Sequence, residues 1–213
     1  MTEKLIEAGL ETLQMVAGAM LWTVLIGLPL GVVLYTTDKQ GLRPSATVHR
    51  VLGIIVNIGR SAPFVILMVA IIPFTRLLVG TTIGSTAAIV PLAVAAIPFF
   101  ARLVESALID VDPGLIEAAE SMGAGTAGIV VRVLFGEAMP ALVRGATVTI
   151  VAVTGYSAMA GAIGGGGLGD LAIRYGYQRY ETDYMVATVV ALIVMVQIFQ
   201  FLGDLIARRL DHR

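Results

Sequence analysis

Residues 12–37 read TLQMVAGAMLWTVLIGLPLGVVLYTT, 26 residues without one charged side chain. As a helix such a stretch is about 39 Å long, more than the roughly 30 Å hydrocarbon core of a bilayer. Three further charge-free runs are long enough to cross: Leu77 to Ala101 and Gly145 to Gly169, 25 residues each, and Tyr184 to Gly203, 20 residues. A fifth apolar stretch begins at Val51 and is interrupted by Arg60, with nine uncharged residues before it and fifteen after, up to Thr75. The arithmetic predicts an all-α membrane protein of five transmembrane helices, at about 12–37, 51–75, 77–101, 140–163 and 184–206, in one domain covering residues 1–213.

The rest of the chain agrees with this reading. Of its 213 residues, 57% are hydrophobic and 14% charged, and the mean hydropathy is +0.90, far from a soluble composition. A net charge of -1 provides no basic excess to hold nucleic acid. With no cysteine, the chain has no disulfide, thiolate metal site or Cys nucleophile, and the two histidines, His49 and His212, leave little for metal ligation. The segment before the first span carries Glu3, Glu7 and Glu11 against Lys4, the wrong flank for a cleaved signal peptide.

Lys and Arg concentrate in short cytoplasmic loops. Five spans place Lys39, Arg43, Arg50, Arg102, Arg132, Arg144, Arg208, Arg209 and Arg213 on one side, and Lys4, Arg76, Arg174 and Arg179 on the other. This predicts an outer N-terminus and a cytoplasmic C-terminus. Tyr175, Tyr177, Tyr180 and Tyr184 cluster at the outer flank of the last span, as an interfacial belt would.

Pro29, Pro63, Pro73, Pro91 and Pro98 fall within the spans. Lipid tolerates such breaks only where neighbouring helices satisfy the freed backbone groups. Gly27 and Gly31 form a GxxxG pair suited to close helix contact. Ion-coupled carriers usually hold Asp, Glu or His near mid-membrane; here acidic residues stand only at span ends, as Glu105 and Asp204 do. Neither histidine lies in a span to serve an intramembrane nucleophile, and no GxxxxGK[ST] loop is present. Gly164, Gly166 and Gly169 match G-x-G-x-x-G without the strand that a dinucleotide site requires, and read instead as a flexible turn at the outer surface.

The longest loop, at about 106–139, separates the third and fourth spans on the cytoplasmic side. It reads as two short helices. Asp112 can cap the first, with Pro113 at its first position and Gly123 as its end; Thr126 can cap the second, which Gly136 can end. Leu115, Ala119 and Met122 fall on one face of the first, with no span to pack on.

Within this loop, Glu117-Ala118-Ala119-Glu120-Ser121-Met122-Gly123 resembles the EAA-x3-G signature of ATP-binding cassette (ABC) importer permeases. The family pattern continues after nine residues with Ile-x-Leu-Pro, where this chain has Val133, Leu134, Phe135 and Gly136, a departure at the exit into the fourth span. Beyond the loop, Asn57-Ile58-Gly59-Arg60-Ser61-Ala62-Pro63-Phe64, Ile72-Pro73-Phe74-Thr75-Arg76 and Gly155-Tyr156-Ser157-Ala158-Met159 resemble the permease subunits of bacterial methionine importers. The resemblance implies the type I ABC importer permease fold, in a bacterial inner membrane. It also implies a second copy of this chain, two ABC ATPase subunits and an extracytoplasmic methionine-binding protein as partners. No cofactor is expected on this chain, ATP and Mg belonging to the ATPase.

By the same resemblance the loop forms a coupling helix that docks on the ATPase, through Glu117, Ala118, Ala119, Met122 and Gly123. Glu117 either takes a charge-assisted bond from a basic partner residue or favours its own helix's N-terminal end. Tyr156, Ser157 and Met159, before the glycine turn, are placed for a gate or for ordinary helix packing. Arg60, between Asn57 and Ser61, either pairs across helices or snorkels to the cytoplasmic interface. Gln197 serves as interhelical glue or as a solute ligand. Permeation of another amino acid or a quaternary amine, an ATP-independent carrier and a membrane scaffold remain the competing readings.

Overall fold

The computed structural model describes residues 1–211, so His212 and Arg213 lie outside the described residues. Its centre is a pair of long helices, α1 (Thr2–Thr37) and α5 (Ser85–Ile109). They run in the same direction, because Gly18 meets Ile89, Gly27 meets Ile97 and Phe100, and Gly31 meets Ala101 and Val104. The GxxxG pair sits in this seam. A Cβ on Gly31 would stand 2.5 Å from that of Val104 and 2.6 Å from the Ala101 carbonyl, so only glycine permits the approach.

Around this pair the remaining helices are α2 (Ala46–Ser61), α3 (Phe64–Ala70), α4 (Ile72–Val79), α6 (Pro113–Ser121), the single turn α7 (Thr126–Gly128), α8 (Phe135–Ala160), α9 (Gly167–Leu171) and α10 (Thr182–Leu210). A π-helical stretch, Ile129–Leu134, joins α7 to α8, and another, Ala172–Tyr177, extends α9. α8 packs antiparallel to α5, Gly145 lying against Leu103, and α10 antiparallel to α8, Gly203 lying against Thr147. Hydroxyls inside these helices are satisfied locally: Thr23, Thr149, Thr154 and Thr188 each donate to the carbonyl one turn back at 2.8 Å.

Among the described residues, four helices are long and apolar enough to cross a membrane: α1, α5, the nearly continuous Thr126–Gly165 and α10. A fifth crossing is reached if α2 and α3, bent by 104° at the break between them, count as one broken span. The break has a local cause. Pro63 has no N–H to give and pushes Ala62 into an extended conformation, φ -73 and ψ 124. Residues 51–75, expected as one span, therefore form α2, α3 and the start of α4.

The helix expected at 77–101 begins instead at Ser85 and runs to Ile109. Gly80 and Gly84, with φ of 81 and 97, make the turn that separates it from α4. Arg102 does not end it because the guanidinium is paired within the bundle. The loop's second helix also differs from expectation. Thr126 follows the N-cap Gly125 and its hydroxyl accepts from Arg43 Nε at 3.2 Å instead of capping. Gly136 stays helical inside α8 and stops nothing. Pro140, inside α8, cannot donate the usual bond to the Gly136 carbonyl four residues back.

Candidate functional site

The described residues that carry chemistry gather at the two ends of the bundle and at the α2 break. At one end, α6 projects past the end of α5. Asp112 caps it, its Oδ1 accepting the Gly114 amide at 2.8 Å, and Pro113 occupies the first turn. Gly123, at φ 80, lets the chain leave, and the Ala124 amide closes on the Ala119 carbonyl at 3.0 Å.

The apolar face expected on α6 is divided. Ala119 is buried at 5% exposure, in a cluster with Leu108, Val111, Ile129 and Leu134, and half-buried Ile116 packs beside it. Leu115, Glu117, Ala118 and Ser121 are exposed, and Met122 is 82% exposed. Ala119 and Ile116 thus seat α6 on the bundle, while Leu115 and Met122 from the same face and the carboxylates of Glu117 and Glu120 stay exposed.

Deeper in, Arg102 ties α5 to α2. Its Nη1 donates to Glu105 Oε2 at 2.5 Å, and its Nη2 donates to Asn57 Oδ1 at 3.1 Å and the Gly53 carbonyl at 3.3 Å. Glu105 is 5% exposed, while the Nε of Arg102 is buried without a partner among the described residues. Sequence reasoning placed both residues at a span end and missed the network. The i,i+3 spacing of opposite charges was its only local signal, since Asn57 and Gly53 arrive from another helix.

Tyr156, Ser157 and Met159 do not converge. The Tyr156 ring stacks on Phe64 of α3, centroids 4.8 Å apart and planes 8° apart. Ser157 is buried and donates to the Thr154 carbonyl at 2.8 Å, and Met159 is 48% exposed. Gln197 is exposed and borders a cavity of about 230 Å³ between α8 and α10, with Thr154, Gly155 and Ala158 opposite. Asn57 accepts from Arg102, and Arg60, three residues on, is exposed.

At the opposite end the glycine turn is held, not loose. Gly164, Gly166 and Gly167 adopt φ of 93, 78 and 75. Glu11 Oε2 accepts the Gly167 amide at 2.6 Å and Thr12 Oγ1 accepts the Leu168 amide at 2.9 Å. The Gly84 amide reaches the Gly164 carbonyl at 2.8 Å. The early turns of α1 thus clamp the start of α9 from 156 residues away in sequence, a role that no local pattern announced.

Beside this turn lies a cleft of about 380 Å³ bordered by Lys4, Glu7, Glu11, Asp170, Arg174 and Tyr175. Arg174 pairs with Asp170 at 2.6 Å, and Lys4 donates to the Tyr175 hydroxyl at 2.8 Å. That hydrogen bond holds the Tyr175 phenol below its ordinary range. Tyr175 also stacks on Tyr184, centroids 5.0 Å apart, whereas Tyr177 and Tyr180 project outward.

The chain is similar to known proteins over most of its length. The family described as "Binding-protein-dependent transport system inner membrane component" matches residues 17–213. The chain is 56% identical over 212 residues to the "Probable D-methionine transport system permease protein MetI" of Vibrio cholerae, spanning 100% of this chain and 94% of that protein. It is 46% identical over 180 residues to the "Methionine import system permease protein MetP" of Bacillus subtilis, spanning 84% and 81%. A crystal form described under "Inward facing conformations of the MetNI methionine ABC transporter" superposes with a TM-score of 0.98 at 47% identity, over 100% of this chain and 98% of that one.

Proposed function

The chain belongs to the family of binding-protein-dependent transport system inner membrane components, and from that premise we propose that it is the permease subunit of a methionine importer. Two copies enclose the solute path between them, each resting on an ABC ATPase subunit. A binding protein delivers methionine at the end that carries the glycine turn. The N-terminus lies outside and α6 lies in the cytoplasm, as the nine-to-four distribution of Lys and Arg favours.

The observation that carries this reading is α6, seated on the bundle at one point and exposed over the rest of its surface. A helix capped by Asp112, seated through Ala119 and exposed at Leu115, Glu117, Ala118 and Met122 is a rigid protrusion with a face ready for a partner. ATP binding draws the two ATPase subunits together, and the seated helices transmit that motion to α5 and α8 as rigid-body tilting. Glu117 supplies a charge-assisted contact to a basic partner residue, and Gly123 sets the angle of exit. Tyr156, Ser157 and Met159 form the region that opens and closes, Tyr156 sliding on Phe64.

The test is uptake of labelled methionine into liposomes that hold this chain, its ATPase and its binding protein, with other amino acids as competitors. Uptake that requires ATP and all three proteins, and is competed by methionine, is the expected result. ATP-driven uptake of a different amino acid would replace the solute and keep the transport class; uptake without ATP would overturn the coupling role of α6. In the same liposomes Glu117→Lys is expected to leave ATP hydrolysis running while uptake falls.

A further inference from the structure

Arg60 stands where a lipid-facing cation is least tolerated. Gly59, its neighbour, packs against Pro98 near the middle of α5 (Ser85–Ile109), which puts Arg60 close to the midplane of the bundle. The nearest headgroup layer is then roughly 15 Å away, half the hydrocarbon thickness, too far for an arginine stem to snorkel. Its side chain is exposed, and among the described residues it has no ion-pair partner. Of the acidic residues on neighbouring helices, Glu105 of α5 is already taken by Arg102, and Asp204 of α10 accepts from Gln200 on its own helix.

The backbone beside Arg60 makes the same demand. Pro63 removes one amide donor just past the last turn of α2, whose final carbonyls have no intrahelical partner, and Ser61, Ala62 and Pro63 are exposed as well. Irregular backbone at membrane depth survives only where protein covers it or where it lines a water-filled cavity. An unpaired guanidinium at the same spot favours water over a covering helix, since burial without a counter-charge is the costlier arrangement.

We propose that Arg60 lines the aqueous solute path and supplies the cation that holds the carboxylate of the transported amino acid at mid-membrane. A guanidinium offers two parallel N–H donors to a carboxylate, so it orients the solute as well as attracting it. Carbonyls left over at the end of α2 would accept from the solute's ammonium group. The proposal rests on the reading of this chain as an amino-acid importer, and assigns the ligand chemistry within that path.

Because the chain has no cysteine, Arg60→Cys introduces a single thiol whose surroundings can be probed directly, with the wild-type complex giving the background from the partner subunits. In the full complex the thiol is treated with two water-soluble methanethiosulfonates, one carrying trimethylammonium and one carrying sulfonate. We expect both to react, the transported amino acid to slow that reaction, and uptake by Arg60→Cys to fall about tenfold, the scale of one lost charge-assisted bond. The cationic reagent should restore most of that uptake and the anionic reagent none. Arg60→Lys should retain more uptake than Arg60→Gln.

No reaction with either reagent would place Arg60 against lipid and overturn the proposal. Reaction without protection by the solute, or unchanged uptake in Arg60→Gln, would overturn the carboxylate role. Wild-type uptake across a panel of amino acids is measured beforehand, and the variants are read with whichever is carried. An error about methionine therefore shows in the wild-type panel, and an error about Arg60 shows in the variants.

Discussion

Arg102 shows how much one side chain can hold in this bundle. It binds Glu105 on its own helix and Asn57 and Gly53 on α2, so it fixes the depth and rotation of α2 immediately before that helix breaks. Removing one partner of a buried pair typically costs about 3–5 kcal/mol because the other is left uncompensated. Arg102→Met is accordingly expected to lower the melting temperature of the detergent-solubilised protein by several degrees. Adding Glu105→Met should recover much of the loss, the coupling being read from the double-mutant cycle. If the double variant is no more stable than Arg102→Met alone, the charge of Glu105 is not what Arg102 compensates. Only the i,i+3 pair of Arg102 and Glu105 was legible from spacing, because the other two partners are brought in by another helix. The buried position of Ala119 is of the same kind: the helical period put it on one face with Leu115 and Met122, but the bundle reaches only Ala119.

Helices α1 and α6 illustrate opposite uses of glycine. In α1, Gly31 allows two helix backbones to touch, and a Cβ there would press on Val104 and the Ala101 carbonyl. Gly31→Val should destabilise the protein by about 1–3 kcal/mol or more, the usual cost of overpacking, whereas Gly9→Val, at a position with nothing within 4 Å, should have little effect. Equal melting temperatures for the two variants would remove the close-contact argument. Gly123 has open space around it but a φ of 80, so its constraint is purely conformational. Gly123→Asn, which tolerates that region, should preserve the ratio of solute moved to ATP hydrolysed. Gly123→Pro should lower the ratio, since its φ is fixed near -65° and the exit from α6 must rebuild. The charge-free runs located the long helices, but Gly80, Gly84 and Pro63 decided where helices end, and these act through backbone angles that hydropathy does not register.

For the whole molecule, scarce polar side chains along the spans suggest that choice of solute is made largely before the membrane, by the delivering protein. Ser157→Ala and Met159→Ala are therefore expected to leave the order of preference among competing amino acids unchanged in the uptake assay, even if the rate changes. A reordered preference with unaltered binding-protein affinity would refute this. The all-helical membrane architecture was determined by sequence alone, because a bilayer demands long runs without charge and permits no unsatisfied backbone, so length and composition suffice. The family was legible for a related reason: Glu117 to Gly123 is a local motif, carried on one short helix with its own cap and exit. Tertiary structure alone decided that α2 is held by Arg102, that Glu11 and Thr12 clamp the glycine turn, and that Arg60, beside a broken helix, has no ion-pair partner among the described residues. Each of these depends on a contact, or on the lack of one, between segments distant in the chain. Such relations are set by packing rather than by any periodicity written into the neighbouring residues.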